Sequence, residues 1–439
     1  MYKKFSLLIL LQVVFNVSGQ EKWRFINILD YHKSEGLSIQ DDEIRQQRIE
    51  EQKKGFVEMY KTNEGELITI PVDIVGGHWH RSKFVKKLTS VPKFANYTTS
   101  QVVSEVCKRS YKGLSQLVYE FGYKNLLIAV GDYELGDNPW RNKNGVVKYI
   151  KKFREGFADV FTLDDKGKSR FTKNIGNALP RPIGTKYEHT SNAYQNKNLL
   201  FVTLDMFRFD SKDKIIGSQG VITRDISGKH FNWLESVLKK AQNIQSIKHI
   251  VVQSHLPIIY PVRKYASSGM MVDDRESEKI LNLFRKYNVD LYLAGEVHMN
   301  TVTKDSKSNL IQFVARGNDL SNLTTIDVEN EKLSLTTYHK NGDILGNLTI
   351  DKKENNTHIK GDGLLKPINP KGIQIHWGFD QIIPKKKYKS SVTGTFPEQS
   401  KHNPLLKGMS KSQVLINDGD FMKVFVLILL KVQSYKCLF

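Results

Sequence analysis

LLIAVGDYE, residues 126–134, is the stretch on which the fold turns: an apolar run of strand length, Leu126 to Gly131, leads straight into Asp132. The same grammar recurs along the chain. FINIL (Phe25 to Leu29) runs into Asp30-Tyr31-His32, LITIPV (Leu67 to Val72) into Asp73, IVVQS (Ile250 to Ser254) into His255, and LYLAG (Leu291 to Gly295) into Glu296-Val297-His298. Short continuous apolar runs read as strands buried on both faces, and their alternation with amphipathic helical stretches reads as an α/β sheet covered by helices. Ligands of open α/β sheets bind beyond the carboxyl ends of the strands, so these side chains can converge although they are distant in sequence. Within Asp30-x-His32 and Glu296-x-His298 the two side chains of extended backbone point the same way. Each pair can therefore grip one metal or straddle two.

Outside these runs, Leu234, Val237, Leu238 and Ala241 recur at helical spacing, as do Ile280, Leu283, Phe284 and Tyr287 after the capping candidates Asp273 and Asp274. A third helix is expected over Gln101 to Phe121. Asn322 to His339 (NLTTIDVENEKLSLTTYH) alternates in the manner of a hairpin. After Lys352 polar and basic residues take over. The chain is therefore expected to divide into a segment 1–19, a catalytic-type domain 20–350, and a basic, poorly ordered extension 351–439 with a short apolar tail, Val424 to Leu430.

The order of these motifs resembles the calcineurin-like metallophosphoesterase family, whose pattern is D-x-H, then GD, then GN-H-E/D, then a lone H, then GH-x-H. The matching residues are Asp30-Tyr31-His32, Val72-Asp73, Gly131-Asp132-Tyr133-Glu134, His255 and Gly295-Glu296-Val297-His298, and the likeness covers roughly residues 24 to 340. The resemblance implies a four-layer α/β/β/α sandwich with two mixed sheets and a site for two divalent ions. Asp30, His32 and His298 would bind the first ion, Asp73 would bridge, and Asp132, His255 and Glu296 would bind the second. The implied reaction is metal-dependent hydrolysis of phosphate mono- or diesters by an activated water.

Four positions depart from the pattern. Val72 stands for glycine, Asp132 for asparagine, and Glu296 for the first histidine of the last motif. Ligand positions still hold ligands, but four carboxylates now occupy the shell, which favours the harder ions Mn or Fe, with Zn as the alternative. Tyr133 stands where the family places a histidine that assists the leaving group. A phenol donates hydrogen bonds but is a poor acid at neutral pH, so Tyr133 as the catalytic residue suits substrates with acidic leaving groups. His80 and Asn138 are the candidates for lining the substrate cleft, since both follow ligand-bearing strand ends; helix packing is the other explanation.

The bulk composition places these motifs in context. Lys3 and Lys4 followed by the apolar stretch Phe5 to Val17 and small residues at 17–19 read as a signal peptide, and with Asn-x-Ser/Thr triplets at Asn96, Asn322, Asn347 and Asn355 point to a secreted, extracellular glycoprotein. Two cysteines, Cys107 and Cys437, exclude a disulfide scaffold and a thiolate metal site. The net charge of +20 attracts anions. Its lysines are scattered rather than gathered into an aromatic-studded stripe, so no specific nucleic-acid recognition is expected, and the partner class is a small-molecule or lipid-like phosphate ester. A second reading is a catalytically weak or inactive secreted protein on the same fold that binds polyanions.

Overall fold

Strands that are apolar on both faces need cover on both, and this chain supplies it with two sheets packed face to face and helices outside them. The computed structural model describes residues 22–28, 63–71, 73–120, 122–123, 125–136, 146–208, 223–263, 271–272, 274–316, 322–339, 341–353, 356–368, 377–378 and 391–392. Residues 1–19, Asp30, His32, Val72, Asn138, Asp273, Asn355 and the tail 424–430 lie outside the described residues.

The chain opens with three parallel strands, β1 (Trp23–Asn27), β2 (Leu67–Ile70) and β3 (Asn125–Ile128). It then crosses to a second sheet for β4 (Asn192–Asn196) and β5 (Leu199–Thr203). After a short paired segment, β6 (Phe207–Arg208) with β7 (Thr223–Arg224), the second sheet continues with β8 (His249–Gln253), β9 (Leu291–Ala294), β10 (Thr301–Lys304) and β11 (Ile311–Val314). A return to the first sheet adds β12 (Asn322–Val328), β13 (Lys332–His339), β14 (Ile344–Asp351) and β15 (His358–Gly361). The first sheet is seven-stranded in the order β15-β14-β13-β12-β1-β2-β3, and the second six-stranded in the order β10-β11-β9-β8-β5-β4. Both are mixed: β1, β2 and β3 are parallel while β12 runs against β1, and β5, β8, β9 and β11 are parallel while β4 and β10 run against their neighbours. The two-mixed-sheet α/β architecture expected from the sequence is the one observed.

Alternation along each strand divides the apolar residues between two cores. Trp23 and Phe25 of β1, Leu67 of β2, Phe201 of β5, Val251 of β8 and Leu291 and Leu293 of β9 fill the seam between the sheets. There the Phe25 and Phe201 rings meet edge to face at 4.9 Å. The intervening residues Ile26, Ile68, Ile70, Ile250, Val252 and Tyr292 belong to the core shared with the helices. Among the described residues those helices are α1 (Ser82–Thr89), α2 (Thr99–Glu120), α3 (Ile150–Phe161), α4 (Gly228–Ala241) and α5 (Asp274–Lys286). A capping box starts α2, in which the Thr98 N–H donates to Gln101 Oε1 (2.9 Å) and the Gln101 N–H to Thr98 Oγ1 (3.3 Å). Helices α2 and α3 interlock through Tyr111 against Phe157 and Phe161. On the other side Phe284 of α5 lies against Tyr292 of β9.

The first sheet runs past residue 350, where the sequence places the end of the domain. β15 pairs with β14, and Ile368 donates its N–H to the Val302 carbonyl of β10 at 2.8 Å. The reason is exposure: β15 is an edge strand (HIKG) with no fully buried residue, so it lacks the apolar signature that marks the inner strands. The expected hairpin is β12–β13, with Thr325 opposite Thr336 and Ile326 opposite Leu335.

Phe25 is fully buried in the inter-sheet seam. Phe25→Ala is expected to lower the unfolding free energy by about 3–5 kcal/mol, read from urea midpoints, because the rings around it cannot collapse onto the void.

Candidate metal centre

Four of the strand-ending residues meet. Asp73 follows β2, Asp132 follows β3, His255 follows β8 and Glu296 follows β9, and each offers a ligand atom such that all four lie within 4.8 Å of one another. Two therefore come from each sheet. His255 Nε2 sits 3.1 Å from Glu296 Oε2, 3.3 Å from Asp73 Oδ2 and 3.3 Å from Asp132 Oδ1. His255 is wholly buried and the carboxylates nearly so.

Backbone contacts hold the cluster in place. The Gly295 N–H donates to the His255 carbonyl (2.9 Å) and the Ser254 N–H to Leu293 (3.1 Å), which locks the ends of β8 and β9 together. Glu296 and His298 both adopt left-handed backbone, with φ of 64° and 55°, so Glu296-x-His298 is not the extended segment expected from the sequence. Each such residue costs about 1–3 kcal/mol, a cost that surrounding structure must sustain and that concentrates at functional sites. Across the cluster, Asp73 Oδ1 accepts the Tyr133 N–H at 3.2 Å. Gly131 is required for space: a β-carbon there would fall 1.8 Å from Asp73 Oδ1. Gly77 is required twice over, since its φ is +63° and a β-carbon would meet the Tyr133 carbonyl at 2.1 Å.

Electrostatics make this arrangement unstable without a positive partner. At an effective dielectric near 20, two like charges at such separations repel by roughly 3.5 kcal/mol or more. Burial by itself would lower the pKa of His255, but hydrogen bonds and charges from Asp132 and Glu296 outweigh it and hold the imidazole protonated well above the ordinary histidine range. In the metal-free chain that raised pKa stabilises the fold at low pH, and the contribution is lost as pH rises through it. The donor set suits a cation in place of the proton: three carboxylates and one imidazole, in a cradle kept open by Gly131.

Two sets of contacts that the sequence reading does not assign support the cluster. Glu134 is fully buried, and its Oε1 accepts the Ile74 N–H while its Oε2 accepts the Gly131 N–H, each at 3.0 Å. It thereby staples the chain after β2 to the chain after β3. Burial pushes its pKa up to about 7, against the opposing effect of these N–H groups. The second set is a clamp beside His255. Arg154 donates to Asp205 (2.9 Å) and to the Phe207 carbonyl (2.6 Å), and the Phe207 ring lies 6.2 Å from the His255 ring. Asp205, which also ends an apolar run, is thus a structural residue; it accepts from Thr190 and from the Phe207 N–H as well.

The remaining sequence candidates fall in three places. Tyr133 is half-buried at the edge of the cluster, 5.8 Å ring to ring from His78. His298 is buried two residues beyond Glu296. His80 is 6% exposed, with its ring edge-on to Phe153 and tilted against Tyr149. Asp30, His32 and Asn138 belong to the residues outside the description.

No protein-family model matches the chain, and no curated protein sequence matches it. Solved structures do resemble it. A dimetal phosphatase from Danio rerio shares 12% identity over 75% of this chain and 98% of its own, with a TM-score of 0.44. A purple acid phosphatase from yellow lupin (Lupinus luteus) seeds shares 11% identity over 76% of this chain and 54% of its own, with a TM-score of 0.42. The anchor protein of the inner membrane complex of Plasmodium shares 14% identity over 76% of this chain and 90% of its own, with a TM-score of 0.41. All three TM-scores are below 0.5, so what bears on activity is the carboxylate–histidine cluster itself.

Because His255 must shed its proton before it can ligate, Mn²⁺ uptake by the metal-free protein should release protons at neutral pH. Calorimetry in two buffers of different ionisation heat reads the release directly. Affinity should rise with pH until His255 is neutral in the free protein and then level off.

Proposed function

We propose that the chain is a metal-dependent hydrolase of phosphate esters, mono- or diester, with a site for two divalent ions. The observation that carries this reading is the convergence of Asp73, Asp132, His255 and Glu296 within 4.8 Å. These four would hold one ion, with Asp73 shared with a second held by Asp30, His32 and His298. Divalent ions bound there supply Lewis acidity and a nucleophile at neutral pH. The oxygen-rich donor set favours Mn or Fe over Zn.

The chain's own residues do the rest. Burial of the carboxylates strengthens their hold on the cations, while their negative charge weakens the pull of the site on an anionic phosphoryl group. The Glu134 staple and the Asp73–Tyr133 contact fix the rim on which Tyr133 stands. Its hydroxyl is a hydrogen-bond donor for a phosphoryl or leaving oxygen. The setting consistent with the N-terminal segment and the Asn-x-Thr triplets is extracellular, and the basic balance of the chain draws in anionic substrates, small or lipid-like.

Release of phosphate or alcohol from a panel of mono- and diesters with added Mn²⁺ tests the reading. Activity should appear with metal and fall by about 100-fold or more in Asp73→Asn, while Asp343→Asn on an exposed turn leaves it intact. A protein that takes up metal, turns over no ester and is retained on heparin in a salt-sensitive way would replace the hydrolase with a polyanion-binding protein.

Tyr133 sets a leaving-group preference. Aryl phosphates should be turned over faster than alkyl phosphates, and Tyr133→His should raise the alkyl rate by at least about tenfold with little change for aryl esters, measured as kcat for each. An unchanged alkyl rate would remove Tyr133 from the reaction.

A further inference from the structure

The described residues contain three Asn-x-Thr triplets, at Asn96, Asn322 and Asn347, and the fold treats them very differently. Asn322 is 2% exposed at the start of β12, a strand flanked by β1 and β13. An oligosaccharide of several sugar rings on that side chain is incompatible with the closed sheet. Asn347 lies within β14, half-buried. Its Oδ1 accepts the Thr336 hydroxyl of β13 at 3.1 Å, and its backbone N–H donates to Asp362 at 2.8 Å. A glycan on the carboxamide nitrogen would crowd the Asp362 carboxylate that this nitrogen faces at 3.5 Å, beside the pairing of β13 with β14.

Asn96 is the opposite case. It is exposed on the turn between the short helical segment Pro92–Phe94 and α2, and its carboxamide makes no hydrogen bond among the described residues. Thr98, the third residue of the triplet, is exposed too. Its hydroxyl is held in place by the α2 capping box, donating to Gln101 Oε1 at 2.8 Å. The adjoining Tyr97 lines a groove of about 470 Å³ between α2 and α3, walled by Gln101, Glu105, Lys108, Lys152 and Glu155. The polar side chains among these walls offer hydrogen bonds to sugar hydroxyls.

We propose that Asn96 is a glycan-bearing residue of the folded chain and that Asn322 and Asn347 stay bare. The proposal rests on export of the chain, not on its catalytic reading. In the transfer, the Asn96 carboxamide nitrogen forms a bond to the anomeric carbon of an oligosaccharide supplied as its lipid-linked diphosphate. The sugar–diphosphate bond breaks, the lipid diphosphate leaves, and the nitrogen gives up a proton.

Full-length protein expressed with its own N-terminus in a eukaryotic secretory host, then analysed by peptide mass spectrometry before and after glycosidase treatment, tests this. The expected result is a glycan on Asn96, none on Asn322 or Asn347, loss of that glycan in Asn96→Gln, and its retention in Thr98→Ser, which keeps both the acceptor triplet and the helix cap. Folded, secreted protein bearing glycans on Asn322 or Asn347, or bare at Asn96, would overturn the proposal. So would a chain that never enters the secretory route.

Discussion

One nitrogen and three carboxylates set the terms for this molecule. His255 Nε2 lies within 3.3 Å of oxygens from Asp73, Asp132 and Glu296, and all four groups are buried. Buried like charges at such spacing are tolerable only with a counter-charge among them, so the cluster exists either around a proton or around a cation. Much of the local architecture follows from holding these groups against their repulsion. Two non-glycine residues are kept in left-handed backbone, a glycine makes room for a carboxylate, and Glu134 stitches two loops from beneath.

Much of this was legible in the sequence, because the strands that build the site are buried on both faces. β2, β3, β8 and β9 lie in apolar runs, and the residues just past their ends are the ones that converge. Helices α4 and α5 showed in their period, and β12–β13 in its alternation. Grouping the ligands also needed the rule that side chains gather beyond strand ends, which is topological and independent of spacing along the chain.

What stayed hidden depends on partners far away in sequence. Nothing local marks Glu134 as a staple, since one of its partners, the Ile74 N–H, is 60 residues distant. Asp205 follows an apolar run much as Asp132 does and reads as a structural or turn residue, but its partner Arg154, 51 residues away, is not marked in the sequence. His80 follows the chain segment that carries Asp73, and its ring contacts with Phe153 and Tyr149 are 73 and 69 residues distant. β15 was invisible because an exposed edge strand carries no apolar pattern.

The donors are split evenly between layers, Asp73 and Asp132 from one sheet and His255 and Glu296 from the other. An ion taken up there would rivet the two halves of the sandwich, and its binding energy would enter the cohesion of the whole domain: a ligand present at a hundred times its dissociation constant adds about 2.7 kcal/mol to the folded state. Occupancy and mechanical integrity of the sandwich are then one quantity, and any slippage between the layers would be felt first as a loosened grip on the ion.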